Sequence, residues 1–105
     1  MEYVNEMRPD VEVIFEFNYV RHTPVSSGYR PAHLINDDYL TSGVHHYYSD
    51  KLVYPGESSV GTISFITPEA YPHCLWIGKK IRIQEGAKVV GYATITQIFN
   101  MLLQA

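Results

Sequence analysis

Alternating apolar and polar residues run through most of this chain and predict β-strands. In residues 11–17 the valines and phenylalanines fall on one face and both glutamates on the other, which is typical of a half-buried strand. Residues 59–67 repeat this pattern, with Ile63 and Phe65 on one face, and the segment ends at Pro68. Each segment therefore presents one apolar face to a core.

A hairpin is predicted near the end of the chain. Residues 80–84 alternate, residues 85–87 form a tight Glu-Gly-Ala connection, and residues 88–100 return as a long strand rich in β-branched residues. Gly91, inside the return strand, predicts a bulge or a bend at a barrel corner. No segment shows a 3.6-residue apolar repeat, although residues 98–103 can form one turn of helix, so we expect almost no helix.

Proline and glycine separate the predicted strands. Pro31 cannot donate to a strand ladder, so a strand is expected to begin beside it. Pro55 and Gly56 suit the two central positions of a type II turn. About six strands within roughly 90 residues imply a closed antiparallel barrel or a sandwich, and we favour the barrel because closure removes exposed strand edges.

The composition is that of one compact domain, with 105 residues, 46% of them apolar and 18% charged. We divide the chain into a polar leader at 1–10, a barrel at 11–100 and a short tail at 101–105. Eight Lys and Arg against eleven Asp and Glu give a formal charge of -3. This charge argues against a broad phosphate-neutralising surface, so any contact with RNA is expected to be local.

Cysteine usage and hydropathy bear on the compartment. Cys74 is the single cysteine, which excludes an intramolecular disulfide and a multi-cysteine zinc site and suits a reducing compartment. No run of about 18 apolar residues is present, and residues 1–10 carry acidic groups where a signal peptide has basic ones. We therefore expect a soluble cytoplasmic protein with no membrane partner.

Motifs for cofactor binding and catalysis are weak. Residues 78–80, Gly-Lys-Lys, lack the upstream glycine and the following Ser or Thr of a phosphate-binding loop, so GTP or ATP binding by this chain is not expected. The adjacent pairs at 45–46 and 73–74 cannot readily share a metal ion, because neighbours on a strand point to opposite faces. We interpret the histidines as surface-loop residues and Cys74 as a small buried hydrophobe. No cofactor, no metal and no catalytic group is expected.

Nine tyrosines are many for a chain of this size. The tyrosines at positions 29, 39, 47, 48 and 54 are candidates for an aromatic surface that stacks on a ligand or contacts a protein. Tyrosines also fill the rims of small barrels, which is the alternative explanation.

The order of four motifs resembles a known family. They are Arg-His-Thr-Pro at 21–24, Gly-Tyr-Arg-Pro at 28–31, Val-Tyr-Pro-Gly-Glu at 53–57 and the hairpin at 83–91. In this order and spacing they resemble the C-terminal β-barrel, domain three, of translation elongation factor Tu, over residues 11–99. The resemblance implies a six-stranded antiparallel Greek-key barrel. In that family the barrel is the last third of a GTPase, packs on the GTPase domain, touches the T stem of aminoacyl-tRNA and helps to bind the nucleotide-exchange factor.

The resemblance also implies which residues face tRNA. They are Arg21, Glu85 and Gly86, a cation and an exposed hairpin tip that can approach a ribose or a phosphate. Two departures weaken that surface. Ala32 stands where the family has glutamine, and the family's Arg-Glu-Gly-Gly-Arg hairpin is Gln-Glu-Gly-Ala-Lys at 84–88.

Two further departures change the surroundings of that surface. The family's acidic-glycine insertion before the Arg-His-Thr motif is missing. Residues 36–40 and 45–48 replace the family's short second hairpin with a more acidic and aromatic sequence. The direction of these changes, toward Tyr and His and away from cations, favours a protein interface over an RNA surface.

The leading hypothesis is therefore a non-enzymatic, stand-alone barrel that binds a protein partner. The residues expected at its binding rim are Arg21, His22, Tyr29, Arg30, Tyr39, Tyr47 and Tyr48. Competition with the full elongation factor for a partner, an immunity role and a regulatory role are all compatible with this hypothesis. Histidines in the rim, with a reference pKa near 6.5, are expected to tune binding between pH 5 and 8.

Two alternatives remain open. In the first, the chain retains some tRNA recognition, through Arg21, Glu85, Gly86 and Lys88. In the second, it is a metal-assisted hydrolase that uses His45, His46, His73 and Cys74.

Overall fold

Six strands form a closed, all-antiparallel barrel in the computed structural model, which describes residues 8–36, 39–49 and 51–105. The strands are β1 (Val11–Phe17), β2 (Ala32–Asn36), β3 (Tyr39–Tyr47), β4 (Ser58–Phe65), β5 (Lys80–Glu85) and β6 (Lys88–Ile98). Two single-turn 3-10 helices at Pro68–Ala70 and Met101–Leu103 are the only helices in these ranges. The predicted barrel, its hairpin and the near absence of helix are confirmed.

The strand order around the barrel is β1, β4, β3, β2, β5, β6, and β6 closes back onto β1. Strands β2, β3 and β4 follow one another, while β1 lies beside β4, so the chain between β1 and β2 crosses one end of the barrel. This arrangement is a Greek key. Strand β2 begins directly after Pro31, as the missing N–H of proline predicts.

The barrel interior is filled by side chains from all six strands and from the connecting loops. The alternation predicted for residues 11–17 and 59–67 is confirmed, since the valines and phenylalanines of β1 and both Ile63 and Phe65 are buried. The apolar core consists of Val11, Val13, Phe15, Phe17, Val25, Ile35, Tyr47, Val53, Ile63, Phe65, Tyr71, Leu75, Ile81, Ile83, Val90, Ala93, Ile95 and Leu103.

Glycine allows two tight features of the barrel. The pairing of β5 with β6 shifts by one residue next to Gly91, which is the predicted bulge. A side chain on Gly91 would collide with the carbonyl oxygen of Glu16 on β1, so the close approach of these strands requires glycine. Pro55 and Gly56 form the predicted turn, with Gly56 at φ +88° and the Glu57 N–H donating to the Tyr54 carbonyl at 3.0 Å.

The two terminal segments differ from the sequence-based division. Of the leader predicted at 1–10, residues 1–7 lie outside the described residues, and Asp10 is 7% exposed because it is bonded into the barrel. The predicted tail at 101–105 folds back over one barrel end, where Leu103 is fully buried and its carbonyl accepts the Leu75 N–H at 2.8 Å. No helix in the described ranges is long and apolar enough to cross a bilayer.

Candidate functional site

The barrel topology brings most of the predicted site residues to one end. Because neighbouring strands are antiparallel, the last residues of β1, β3 and β5 and the first residues of β2, β4 and β6 meet there. We call this the turn end and define it by the loops at 18–31 and 48–57 and the turn at 86–87. The opposite end, which we call the terminal end, carries residues 66–79 and 99–105.

Three of the predicted residues form a bonded cluster at the turn end. The guanidinium of Arg21 and the hydroxyl of Tyr29 both donate to the same carboxylate oxygen of Glu85. The Arg21 guanidinium also lies 4.9 Å from the centre of the Tyr29 ring, and its Nε donates to the Thr23 carbonyl at 3.1 Å. The cation that resembles the family's tRNA contact is thus paired with a carboxylate.

Burial and the bond to Glu85 raise the pKa of Tyr29 above its ordinary value. The Tyr29 hydroxyl therefore keeps its proton at neutral pH and acts as a donor. Its aromatic ring is half-buried beneath Arg21, so the cluster presents a neutralised and partly apolar surface to solvent.

The β5–β6 turn next to this cluster is exposed and open. Gly86 adopts φ +60°, and a side chain there would meet no atom within 4 Å. The Gln84 side chain donates to the Gly86 carbonyl at 3.2 Å and holds the turn in place. Lys88, on the far side of the turn, is exposed. A ligand can therefore contact the backbone of this turn directly.

Two of the grooves near this end contain residues expected at the binding rim. The first, which we call the tyrosine groove, is lined by Tyr19, Arg21, His22, Tyr54 and Pro55. Tyr19 and Tyr54 are 75% and 50% exposed, and Tyr19 lies over the turn at 55–56. This groove combines aromatic rings with one paired cation.

The second groove, which we call the wall groove, runs along the outer face of β3 and β4. Its lining residues are Pro9, Arg30, Val44, His46, Tyr48, Thr62, Ser64 and Phe99. Thr62 and Ser64 face outward but are only 7% and 8% exposed, so they form its floor. The groove starts at Arg30, on the turn end, and reaches the terminal end.

Tyr48 is fixed at the edge of the wall groove by Glu12. The Tyr48 hydroxyl donates to one oxygen of this carboxylate at 2.8 Å, and the Thr96 hydroxyl donates to the other at 2.7 Å. The bond from Thr96, followed by that from Tyr48, lowers the pKa of Glu12, and the bond to Glu12 raises the pKa of Tyr48. The ring of Tyr48 stays 52% exposed and available for contact.

Two residues expected at the binding rim are not on this surface. Tyr47 is fully buried, because it lies on the inward face of β3 and packs edge-on against Phe15, with ring centres 5.0 Å apart. Tyr39 begins β3 at the terminal end, where it is half-buried and its ring centre lies 4.9 Å from that of Tyr71. Arg21, His22, Tyr29, Arg30 and Tyr48 remain at the turn end.

The interpretation of the histidines as surface-loop residues is wrong for two of them. His33 and His45 are fully buried on β2 and β3, whereas His46, next to His45, is exposed. Burial lowers the pKa of His33 to about 4 and holds the pKa of His45 well below its ordinary value. These two imidazoles therefore do not titrate between pH 5 and 8 in the folded chain.

The residues of the hydrolase alternative are spread over the barrel. His45 points into the core, His46 points outward, and His73 lies at the terminal end, where its Nδ1 is 3.0 Å from the Gln104 carbonyl. Cys74 is half-buried, and burial raises the pKa of its thiol. In the described part of the chain, no three His, Cys, Asp or Glu side chains are placed to hold a metal ion.

Several residues of the two grooves were not predicted from the sequence. Tyr19 and Pro55 were not among the expected rim residues, although each lies close in sequence to a predicted one. Thr62 and Ser64 lie on the outer face of β4, as the alternation of residues 59–67 predicts, but the alternation gives no sign that they are almost completely shielded from solvent. A comparison of the chain with models of known protein families finds no match.

Proposed function

We propose that this chain is a non-enzymatic, stand-alone binding module of the elongation factor Tu domain-three type, and that it binds a protein partner at the turn end. The contact surface consists of the tyrosine groove, the Arg21–Tyr29–Glu85 cluster and the Arg30 end of the wall groove. We place this binding in the cytoplasm, in line with the single cysteine. It takes place without GTP bound to this chain.

The observation that carries the proposal is the pairing of Arg21 with Glu85. RNA affinity rests on cations that neutralise phosphates, and a cation already bonded to a carboxylate neutralises little. Protein interfaces instead use Tyr and Arg around a partly apolar centre. The turn end offers that combination, with Tyr19 and Tyr54 exposed beside Arg21.

The proposal is tested by partner capture with matched variants. Purified barrel is coupled to a support, and proteins recovered from lysate are quantified for the wild type, for Tyr54→Ala and for Trp76→Ala. Tyr54 and Trp76 are 50% and 49% exposed, at the turn end and the terminal end respectively. A partner bound by the wild type and by Trp76→Ala, and weakened at least tenfold by Tyr54→Ala, supports the proposal. A monomeric barrel that recovers no protein, or a partner lost equally in both variants, contradicts it.

Residual tRNA recognition is the second candidate, because Arg21, Glu85 and Gly86 do lie together at the turn end with Lys88 across the turn. If it holds, affinity for aminoacyl-tRNA falls steeply with added salt, and Arg21→Ala weakens it by about 1 to 3 kcal/mol. Glu85→Gln, which releases Arg21, then strengthens it. An absence of binding at low salt by the wild type and by Glu85→Gln excludes this candidate.

A further inference from the structure

A chain of hydrogen bonds runs through the interior of the barrel between β2 and β3. The Tyr47 hydroxyl lies 2.9 Å from His45 Nδ1, His45 Nε2 lies 2.7 Å from His33 Nε2, and His33 Nδ1 lies 3.2 Å from the Thr41 carbonyl. Tyr47, His45 and His33 are all fully buried. The chain thus joins the turn-end part of β3 to its terminal-end part through the core.

The geometry allows only one placement of the protons. Because a carbonyl oxygen only accepts, His33 Nδ1 must carry a proton and His33 Nε2 must be the acceptor. His45 therefore donates from Nε2, and its Nδ1 accepts the proton of the Tyr47 hydroxyl. Every polar atom in the chain is satisfied when both imidazoles are neutral.

Protonation destabilises this arrangement, the first proton through burial and the second through the geometry. A first added proton places a charge among aromatic rings, with the ring centres of Phe15 4.3 Å from His45 and of Phe65 5.6 Å from His33. A second proton would make both facing Nε2 atoms donors at a separation of 2.7 Å. The two imidazoles therefore cannot both be charged while the two strands stay in register, and burial opposes even a single charge.

The elements packed around the histidine pair, which we define as His33 and His45, supply no free counter-charge. From β1, β4 and β5 the neighbouring inward residues are apolar, namely Phe15, Phe17, Ile63, Phe65, Ile81 and Ile83. The loops contribute the neutral hydroxyls of Tyr29, whose ring centre is 5.4 Å from His45, and of Tyr71, which lies 3.4 Å from the Thr41 hydroxyl.

The charged groups next to those tyrosines are already bonded. Glu85 accepts from Tyr29 and Arg21, and Asp10 accepts from the Phe65 N–H and from the Asn100 side chain. Within the described residues, no carboxylate is left to neutralise a buried imidazolium. A proton on the histidine pair is accommodated only when water reaches it.

We propose that the histidine pair is an acid-sensitive switch, which opens the barrel between β2 and β3 when the imidazoles take up protons. Residues 45–48 alternate between core and surface, so the strand that carries His45 and Tyr47 inward also carries His46 and Tyr48 to the wall groove. Opening at this point separates Arg30, which leads into β2, from the β3 side chains that line the same groove. The switch is a property of the barrel and does not depend on the identity of any partner.

The direction and the steepness of the pH dependence of barrel opening follow from proton linkage. Both imidazoles are neutral in the fold, since burial lowers the pKa of His33 to about 4 and that of His45 well below 6.5, whereas in the open chain they titrate near 6.5. The stabilisation is complete above this pH and is lost as the pH falls from 6.5 toward 4. Two protons are taken up, so the opening constant rises by about 2,000-fold from pH 6.5 to 4.5, and by about 40-fold if only His33 is linked.

The experiment measures urea unfolding from pH 6.5 to 4.5 by the near-ultraviolet circular dichroism of the tyrosines. This window lies above the ordinary pKa of most carboxyl groups, so they contribute little. The wild type and His46→Gln, which changes the exposed neighbour on the same strand, are expected to show the two-proton rise. His45→Gln, in which the pair has one titratable ring, is expected to show the one-proton rise.

A direct titration covers the case in which His45→Gln does not fold. Proton NMR of the wild-type imidazoles follows His33 and His45 as the pH is lowered, and both are expected to stay neutral until the folded spectrum itself disappears. The proposal is wrong if either ring titrates near pH 6.5 with the barrel intact. It is also wrong if the wild-type opening constant changes less than tenfold across the window, or if His46→Gln removes the rise.

Discussion

At the terminal end of the barrel, Asp10 connects the end of β4 to the residues that follow β6, and its removal gives the sharpest test of the fold. One oxygen of its carboxylate accepts the Phe65 N–H at 2.7 Å, at the end of β4, and the other accepts the Asn100 side chain at 2.9 Å, after β6. Its backbone carbonyl accepts the N–H groups of Phe99 and Asn100 at 2.9 and 3.1 Å. The residue is therefore bonded to both strands that flank β1.

The substitution Asp10→Ala removes the two side-chain acceptors and keeps the backbone bonds. Phe65 then has a buried N–H without a partner, at a cost of about 1 to 3 kcal/mol, and Asn100, which is half-buried, loses a bond to a charged group. The sum is about 2 to 4 kcal/mol. A chain of this length has a free energy of unfolding of about 5 to 15 kcal/mol, so the loss is a large part of the total.

Urea unfolding at pH 7 measures this effect. With a denaturant slope of about 1 to 3 kcal/mol per molar for a small domain, the midpoint is expected to fall by about 1 to 2 M. Glu69→Ala is the matched control, because it removes the same charge from an exposed site at the same barrel end, and its effect should stay within about 0.5 kcal/mol. If Asp10→Ala is as mild as Glu69→Ala, the carboxylate does not hold the strands together.

Three further changes test the packing of the barrel. Gly61→Ala should prevent folding or strongly destabilise the barrel, because the added side chain would overlap the backbone oxygen of His46 on β3. Gly28→Ala has open space around it and should lower the free energy of unfolding by about 1 kcal/mol, the cost of φ +101° for alanine. Thermal unfolding compares the two variants. Leu103→Ala should cost about 2 to 5 kcal/mol in urea despite lying in the predicted tail, and a loss below 1 kcal/mol would mean that the segment does not pack. Tyr47→Phe leaves the acceptor on His45 without a donor and should cost about 1 to 3 kcal/mol at pH 7; an unchanged unfolding midpoint would contradict the proton placement.

The strands that obey simple alternation were predictable from the chain alone. β1, β4, β5 and β6 place aliphatic or aromatic residues inward, and most of their outward residues are polar or charged. Their hairpin and bulge follow from glycine. The hydrophobic effect alone decides which face is buried in such strands.

Strand β3 could not be assigned in this way, because its apolar and polar residues are distributed against the rule. Leu40 and Val44 face outward, while Thr41 and His45 are buried. The buried polar atoms are tolerated because they bond to one another, and such partners depend on which strands become neighbours. A pattern along one strand does not contain that information, which is why Tyr47 was expected at the rim.

The candidate site was predictable in its position and less so in its composition. Arg21, Tyr29 and Glu85 are separated by up to 64 residues, and only the closed topology shows that they share one cluster. The motifs that carry the resemblance do bring these residues to one end. The pairing of Arg21 with Glu85, on which the proposal of a protein partner rests, is a property of side-chain geometry.

The bonding of Asp10 to Asn100 also means that the entry and exit of the barrel chain lie side by side. New termini can be opened at the exposed turn next to Gly86 without breaking a strand, provided that the linker between the present ends keeps residues 101–105, with the buried Leu103, in place.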